Sequence, residues 1–132
     1  MKGSDMKDGF YPALGTPLDA EGSLNKDSYK KQIDMMIDAG ASGVLCMGSM
    51  GNMSSIKDDI YPDVAEACVD AARSRVPVMV GVMDNSVARV MDRIYALGDL
   101  SRDGVVATTP FYYKSTDRQI YNFYSMLADE SY

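Results

Sequence analysis

Apolar and polar positions divide the chain into two kinds of segment that alternate. Short, nearly continuous apolar runs occupy residues 10–16, 43–47, 77–81 and 104–108. They are too short for helices and are bounded by glycine or proline, so they are predicted as buried strands. Between and after them, apolar residues recur at helical spacing over about 25–39, 58–73, 87–97 and 117–128. Four helices are predicted there, the first ending at Gly40, because glycine is common one step past a helix end.

The order of these segments predicts an α/β fold with a parallel sheet. Strands that are apolar throughout are buried on both faces, as in a parallel sheet covered by helices. Residues 1–132 form one predicted domain of four βα units. Two architectures accept this pattern, an open doubly wound sheet and part of a closed barrel. Periodicity by itself favours the open sheet, because a barrel has eight such units.

Composition narrows the classes of function. The chain has 19 acidic and 13 basic residues and a net charge of −6, which argues against a nucleic-acid partner because binding the phosphate backbone needs a basic surface. It has no histidine and two separated cysteines, Cys46 and Cys68, so no metal site is predicted. No apolar run approaches the roughly 18 residues of a membrane span, and residues 1–7 lack the apolar core of a signal peptide. A cytoplasmic protein without membrane contact is expected.

Candidate chemistry lies where the predicted strands end, since parallel α/β folds bind ligands at the carboxyl ends of their strands. After the second strand come Gly48, Ser49, Met50, Gly51 and Asn52. Glycines allow backbone amides to converge on an anion such as a carboxylate, and Ser49 adds a hydroxyl. On the turn alone, the plainer explanation is a strand-to-helix connection that needs glycine for its geometry. The spacing is not that of a phosphate-binding loop.

The fourth strand is followed by three aromatic residues, Phe111, Tyr112 and Tyr113. Tyrosine hydroxyls there could relay protons or line a pocket, and the rings could pack against another subunit or simply plug the structure. Asp84 and Asn85, after the third strand, are interpreted as a turn and helix cap.

The remaining candidates for covalent chemistry are the cysteines and the lysines. Cys46 is interpreted as a small buried residue. No lysine lies in a predicted strand, where a Schiff-base lysine would be expected to project into a pocket of low dielectric constant.

Four segments in order match one known family. They are the threonine–proline–apolar–acidic run within residues 12–19 with the Glu–Gly pair at 21–22, the glycine-rich stretch 39–51, the strand 78–81, and the threonine–proline–aromatic–tyrosine ending at 109–113. Over about residues 10–130 the chain resembles the dihydrodipicolinate synthase and N-acetylneuraminate lyase family of Schiff-base enzymes. This implies a (βα)8 TIM barrel, of which four βα units (a half barrel) are present, assembled as a homo-oligomer. It also implies pyruvate or another 2-oxo acid as substrate and no cofactor.

The resemblance also implies roles for individual residues. Ser49 matches the first hydroxyl of the family's turn, which relays protons. The turn at Gly48, with the amides of Ser49 and Met50, would bind the pyruvate carboxylate. Tyr112 matches the aromatic residue that, in synthases, reaches across a dimer interface to a neighbour's proton relay.

Two positions depart from the family pattern, and they favour a divergent lyase or aldolase over a standard synthase. Met50 stands where a second hydroxyl is usual, and Asn52 where a glutamate is usual. The imine-forming lysine and the catalytic tyrosine belong to the family's sixth and fifth strands, so this chain alone is predicted to be inactive. The alternative is a non-catalytic, truncated half barrel that self-associates. A complete flavodoxin-like domain is disfavoured, since residues 15–17 do not form a phosphate loop.

Overall fold

The structure, a computed structural model, describes residue 6 and residues 8–130. The elements are α1 (Lys26–Asp38), β1 (Val44–Cys46), α2 (Tyr61–Ala72), β2 (Val78–Gly81), α3 (Val87–Ala96), β3 (Gly104–Val106) and α4 (Asp117–Glu130). All four predicted helices are confirmed. Most of residues 1–7, on which the expectation about a signal peptide rests, and residues 131–132, the end of the predicted domain, lie outside the described residues.

The three strands form one parallel sheet in the order β1-β2-β3. Val44 pairs with Val78, and Val80 pairs with Val105. Helices α1 and α2 pack against each other, and α3 packs against α4. The core lies between the helices and the sheet. Its most deeply buried side chains include Tyr29, Ile33, Val44, Val64, Val80 and Val90. The α/β class with a parallel sheet is therefore confirmed.

The first predicted strand, residues 10–16, is wrong as an element. This segment does run beside β1, where the Leu45 amide donates to Pro12 O and the Leu14 amide donates to Leu45 O, at 3.0 and 2.8 Å. Only a single parallel bridge, between Ala13 and Leu45, forms. The physical reason is Pro12, which has no N–H to donate to the next bond of a ladder.

Local sequence explains the helix ends. Asn25 caps α1 by accepting a hydrogen bond from the Ser28 amide at 3.0 Å, and Gly40 follows with a φ of 93°, which glycine adopts without strain. Helix α2 starts three residues later than predicted, at Tyr61, with Pro62 in its first turn, where a missing N–H costs nothing. Across the described residues, no helix is both long enough and apolar enough to cross a membrane.

Candidate active site

The turn after β1 begins and ends with residues in the left-handed region. Met47 has a φ of 55° and Asn52 a φ of 60°, whereas Gly48 and Gly51 do not have positive φ. The conformational freedom of glycine is therefore not what shapes this turn. Gly51 is needed for space, because a Cβ there would lie 3.0 Å from the Met47 nitrogen. At Gly48 the nearest atom to an added Cβ would be 3.5 Å away, an ordinary contact.

This turn presents polar backbone groups to the exterior. Gly48 is buried, while Ser49 and Met50 are exposed. The Ser49 carbonyl accepts a hydrogen bond from the Asn52 amide at 3.1 Å. Within the described part of the chain, neither the Ser49 amide, the Met50 amide nor the Ser49 hydroxyl has a hydrogen-bond partner. Thr16 braces the turn by donating from Oγ1 to the Gly51 carbonyl at 2.7 Å. The arrangement leaves three donors available for an anion.

The end of β2 packs directly against the start of this turn. A Cβ on Gly81 would lie 2.1 Å from the Met47 carbonyl oxygen, so only glycine allows the two backbones to approach this closely. The buried Tyr61 hydroxyl donates to the Gly81 carbonyl at 2.9 Å. Burial, and the neighbouring Cys46, raise the pKa of Tyr61 well above its ordinary value, so this hydroxyl remains a donor at neutral pH. Together these contacts fix the position of the turn relative to the sheet.

Asp84, just after β2, is buried and paired with two arginines from α3. Its Oδ1 lies 2.9 Å from Arg89 Nε and its Oδ2 lies 3.3 Å from Arg93 Nη2. Burial acts to raise the pKa of Asp84, but the hydrogen bonds from Arg89 and the Asn85 amide, with the charges of both arginines, bring it below its ordinary value. The Arg93 guanidinium also lies 5.5 Å from the Tyr61 ring centroid. Asp84 is thus a carboxylate held ionised inside the fold.

The interpretation of Asp84 and Asn85 as a helix cap is wrong. The cap of α3 is Ser86, whose hydroxyl accepts from the Arg89 amide at 3.3 Å. Asn85 instead reaches the next loop, where its Oδ1 accepts hydrogen bonds from the amides of Phe111 and Tyr112, both at 2.8 Å. The sequence feature that could have drawn attention to this contact is the Asp–Asn pair shortly after a buried strand. Its partners, 26 and 27 residues away, could not be identified from sequence.

The aromatic residues after β3 point outwards. Tyr112 is 75% exposed and Tyr113 is 79% exposed, and their rings form an edge-to-face pair with centroids 4.8 Å apart. Because β1 and β3 belong to one parallel sheet, Ser49 and Tyr112 follow strands that end at the same edge. No contact joins these two residues directly in the described part of the chain.

The described lysines lie outside the strands, and the two cysteines are buried. The described lysines lie on α1 or on loops, at positions 26, 30, 31, 57 and 114. Cys46 and Cys68 are both buried and reduced, which confirms the interpretation of Cys46. A hydrogen bond with Cys68, together with burial, raises the pKa of Cys46. The described residues contain no group of three or more acidic or cysteine side chains arranged to hold a metal ion.

Comparison with known proteins gives one consistent match. The sequence model of the dihydrodipicolinate synthetase family matches residues 6–132. Among curated relatives, the 4-hydroxy-tetrahydrodipicolinate synthase of Rhizobium meliloti is 29% identical over 121 residues, which are 92% of this chain and 41% of the relative. That of a Jannaschia species is 31% identical, over 94% of this chain and 42% of the relative.

Solved structures agree with these matches. A chloride-inhibited dihydrodipicolinate synthase from Acinetobacter baumannii, complexed with pyruvate, superimposes with a TM-score of 0.85 and 26% identity, covering 92% of this chain and 42% of that one. A prophage protein of the dihydrodipicolinic acid synthase family from E. coli, also in complex with pyruvate, gives a TM-score of 0.84 and 26% identity, with 92% and 41% covered. The chain thus spans about two fifths of the length of these relatives.

Proposed function

Because this chain belongs to the dihydrodipicolinate synthetase family, we propose that it forms half of the eight-unit TIM barrel of a pyruvate-dependent Schiff-base lyase, aldolase or synthase, with residues 10–16 in the place of the first strand. The observation that supports this most directly is the turn after β1, where the exposed Ser49 and Met50 amides have no partner among the described residues. Two relatives of known structure were solved with pyruvate, whose carboxylate is the kind of anion that free backbone amides bind.

The site residues have distinct roles in this proposal. The amides of Ser49 and Met50, on the backbone that turns at Gly48, bind the carboxylate of pyruvate or another 2-oxo acid. The Ser49 hydroxyl helps to relay protons and lies near the bound carboxylate. Tyr112, 75% exposed, extends to a neighbouring subunit and completes its relay. Met50 offers no hydroxyl to the carboxylate, which is why we favour a divergent lyase or aldolase.

The covalent chemistry is proposed to come from residues outside this chain. A Schiff-base lysine works when it projects into a desolvated pocket, where its pKa falls. The described lysines lie instead on α1 or on loops. We therefore expect the 132-residue chain alone to be inactive and the complete barrel to supply the lysine and a second tyrosine. The two reduced, buried thiols support a cytoplasmic location.

A titration of the 15N-labelled chain with pyruvate, followed by amide chemical shifts, tests the carboxylate site. We expect the largest shifts at the Ser49 and Met50 amides. Acetone, which lacks the carboxylate, is the matched ligand and should leave these amides unmoved. Met50→Thr restores a hydroxyl and should tighten pyruvate binding about tenfold or more, as expected for an added hydrogen bond to a charged group. Equal shifts with acetone, or shifts concentrated elsewhere, would refute the site.

Borohydride reduction in the presence of pyruvate tests whether the imine-forming lysine lies outside this chain. Intact mass spectrometry should show no covalent pyruvate adduct on this chain. A stable adduct on any of its lysines would contradict the assignment of the imine-forming residue to another part of the protein.

A non-catalytic, self-associating half barrel is the second proposal, and the exposed apolar surface favours it. Large apolar side chains are exposed on the loop after β3 and on α4, namely Phe111, Tyr112, Tyr113, Tyr121, Tyr124 and Met126. In the described sheet, β3 has a neighbour on one side only. Exposed aromatic surface and unpaired strand edges promote association, so we propose a homo-oligomer under either function.

A further inference from the structure

We propose that Asn85 is a positioning residue, whose side-chain oxygen fixes the loop that carries Tyr112. Its importance for the reaction rests on the function proposed above, in which Tyr112 relays a proton. The structural part of the inference stands on the contacts of Asn85 alone.

The two hydrogen bonds to Asn85 are the backbone hydrogen bonds that connect this loop to the rest of the described fold. Asn85 Oδ1 accepts from the Phe111 and Tyr112 amides, each at 2.8 Å. Across residues 108–115, no other backbone amide or carbonyl makes a hydrogen bond within the described part of the chain. The ring of Tyr112 contacts only its neighbour Tyr113 among aromatic groups described. The position of the Tyr112 hydroxyl therefore depends on where Asn85 holds its backbone.

The backbone of Asn85 is itself held by the side chain of the preceding residue, Asp84. The Asn85 amide donates to Asp84 Oδ1 at 2.7 Å. That carboxylate is fixed by Arg89 Nε at 2.9 Å and by Arg93 Nη2 at 3.3 Å. With side-chain exposures of 8% for Asp84 and 12% for Arg93, the Asp84–Arg93 pair is well shielded from solvent. Helix α3 thus sets the position of Asn85 through a buried ion pair.

The same ion pair reaches the turn that carries Ser49. Both Arg93 Nη atoms face the Met53 carbonyl, at 3.4 and 3.5 Å, and Met53 donates its amide to Gly48 O at 3.4 Å. A continuous series of contacts therefore runs from the turn after β1, through Arg93 and Asp84, to Asn85 and the Tyr112 amide. A proton relay needs its hydroxyl groups at fixed positions. This series of contacts fixes the backbone of the Ser49 turn relative to the backbone of Tyr112.

Amide hydrogen exchange and NMR of the chain itself test the proposal through Asn85→Ala. We expect exchange at the Phe111 and Tyr112 amides to become about fivefold faster, the factor corresponding to one net hydrogen bond. The aromatic proton shifts of Tyr112 and Tyr113 should move towards those of unstructured tyrosine. Asn122→Ala is the matched control, since Asn122 is exposed on α4 and makes no side-chain hydrogen bond among the described residues. It should change neither measurement.

Asn85→Asp supplies a signature that general loss of structure cannot produce. A carboxylate keeps an acceptor at the same place, so protection of both amides should be retained at neutral pH. The Phe111 and Tyr112 amide shifts should then titrate with the new carboxyl group at or below about pH 4, with an amplitude several times that of any inflection Asp84 produces in the wild-type chain. Wild-type exchange at both amides in Asn85→Ala, or an inflection in Asn85→Asp no larger than that of the wild-type chain, would overturn the proposal.

The test of Asn85 is independent of the test of pyruvate binding. If Asn85 controls the loop but pyruvate leaves the Ser49 amide unmoved, the positioning role stands and the proposed function fails. If pyruvate moves the Ser49 amide while Asn85→Ala leaves the loop unchanged, the proposed function stands and the positioning role fails.

Discussion

Replacing Gly81 by alanine tests whether close backbone contact holds the candidate site together. The added Cβ would lie 2.1 Å from the Met47 carbonyl oxygen, 2.7 Å from its carbon and 3.1 Å from the Gly48 nitrogen. All three are backbone atoms, so no flexible side chain can move aside. Either β2 or the turn after β1 has to shift, and the turn carries Ser49.

Three effects change the free energy of unfolding, two of them destabilising and one stabilising. Overpacking a buried site destabilises by about 1–3 kcal/mol. A displaced Gly81 carbonyl also weakens its bond from the Tyr61 hydroxyl, 2.9 Å long, which adds about 1 kcal/mol. Alanine restricts the unfolded chain relative to glycine, which returns about 0.4–1 kcal/mol. The free energy of unfolding should therefore fall by a net of about 1–3.5 kcal/mol, a substantial part of the 5–15 kcal/mol typical of a domain.

Urea denaturation followed by circular dichroism measures this change. With a slope of about 2 kcal/mol per molar urea, a fall of about 2 kcal/mol in the free energy of unfolding lowers the midpoint by about 1 M. Gly48→Ala is the matched control, because its Cβ would have no neighbour closer than 3.5 Å. Gly48→Ala should leave stability unchanged or raise it by up to about 1 kcal/mol. If the two variants unfold at the same urea concentration, the steric argument is wrong.

Three further outcomes are expected. Tyr61→Phe removes the donor to the buried Gly81 carbonyl and should lower the free energy of unfolding by about 1–3 kcal/mol in the same urea assay; an unchanged midpoint would contradict this. The folded-state pKa of Asp84 is depressed although burial opposes it, so its contribution to stability is present above about pH 4 and is lost as pH falls through the folded-state pKa. Asp84→Asn should flatten this acid limb in thermal melts recorded from pH 6 to pH 2, and an identical pH dependence in both proteins would count against the ion pair. Light scattering after gel filtration should give at least twice the monomer mass, with a lower mass for the Tyr112→Ser/Tyr121→Ser double variant; a monodisperse wild-type monomer would rule out self-association.

Much of the architecture could be predicted because it follows from local signals. The helix from Lys26 ends where Gly40 permits a φ of 93°. Short apolar runs marked the strands, whose alternate residues are buried in β1 and β2 while Leu45 and Met79 are partly buried. One predicted strand did not form, and a single residue accounts for it. Residues 10–16 looked like the other strands, but Pro12 removes a donor and leaves only the bridge between Ala13 and Leu45.

The candidate site was predicted only in outline. Sequence order placed a glycine-rich turn after β1, and therefore at the edge of the sheet where the ends of parallel strands meet. The reasons for its glycines did not follow. The left-handed residues are Met47 and Asn52, while Gly81, in another strand, provides the space for the turn.

Sequence by itself determined the α/β class and the order of elements, because these depend on the period of apolar residues, and it indicated the family through the resemblance of four segments in order. Tertiary structure alone decided which polar groups meet. Asp84 meets Arg89 and Arg93, and Asn85 meets the amide of Tyr112, 27 residues away. A hydrogen bond depends on distances of a few ångströms between groups that the fold brings together, and residue order carries no record of those distances.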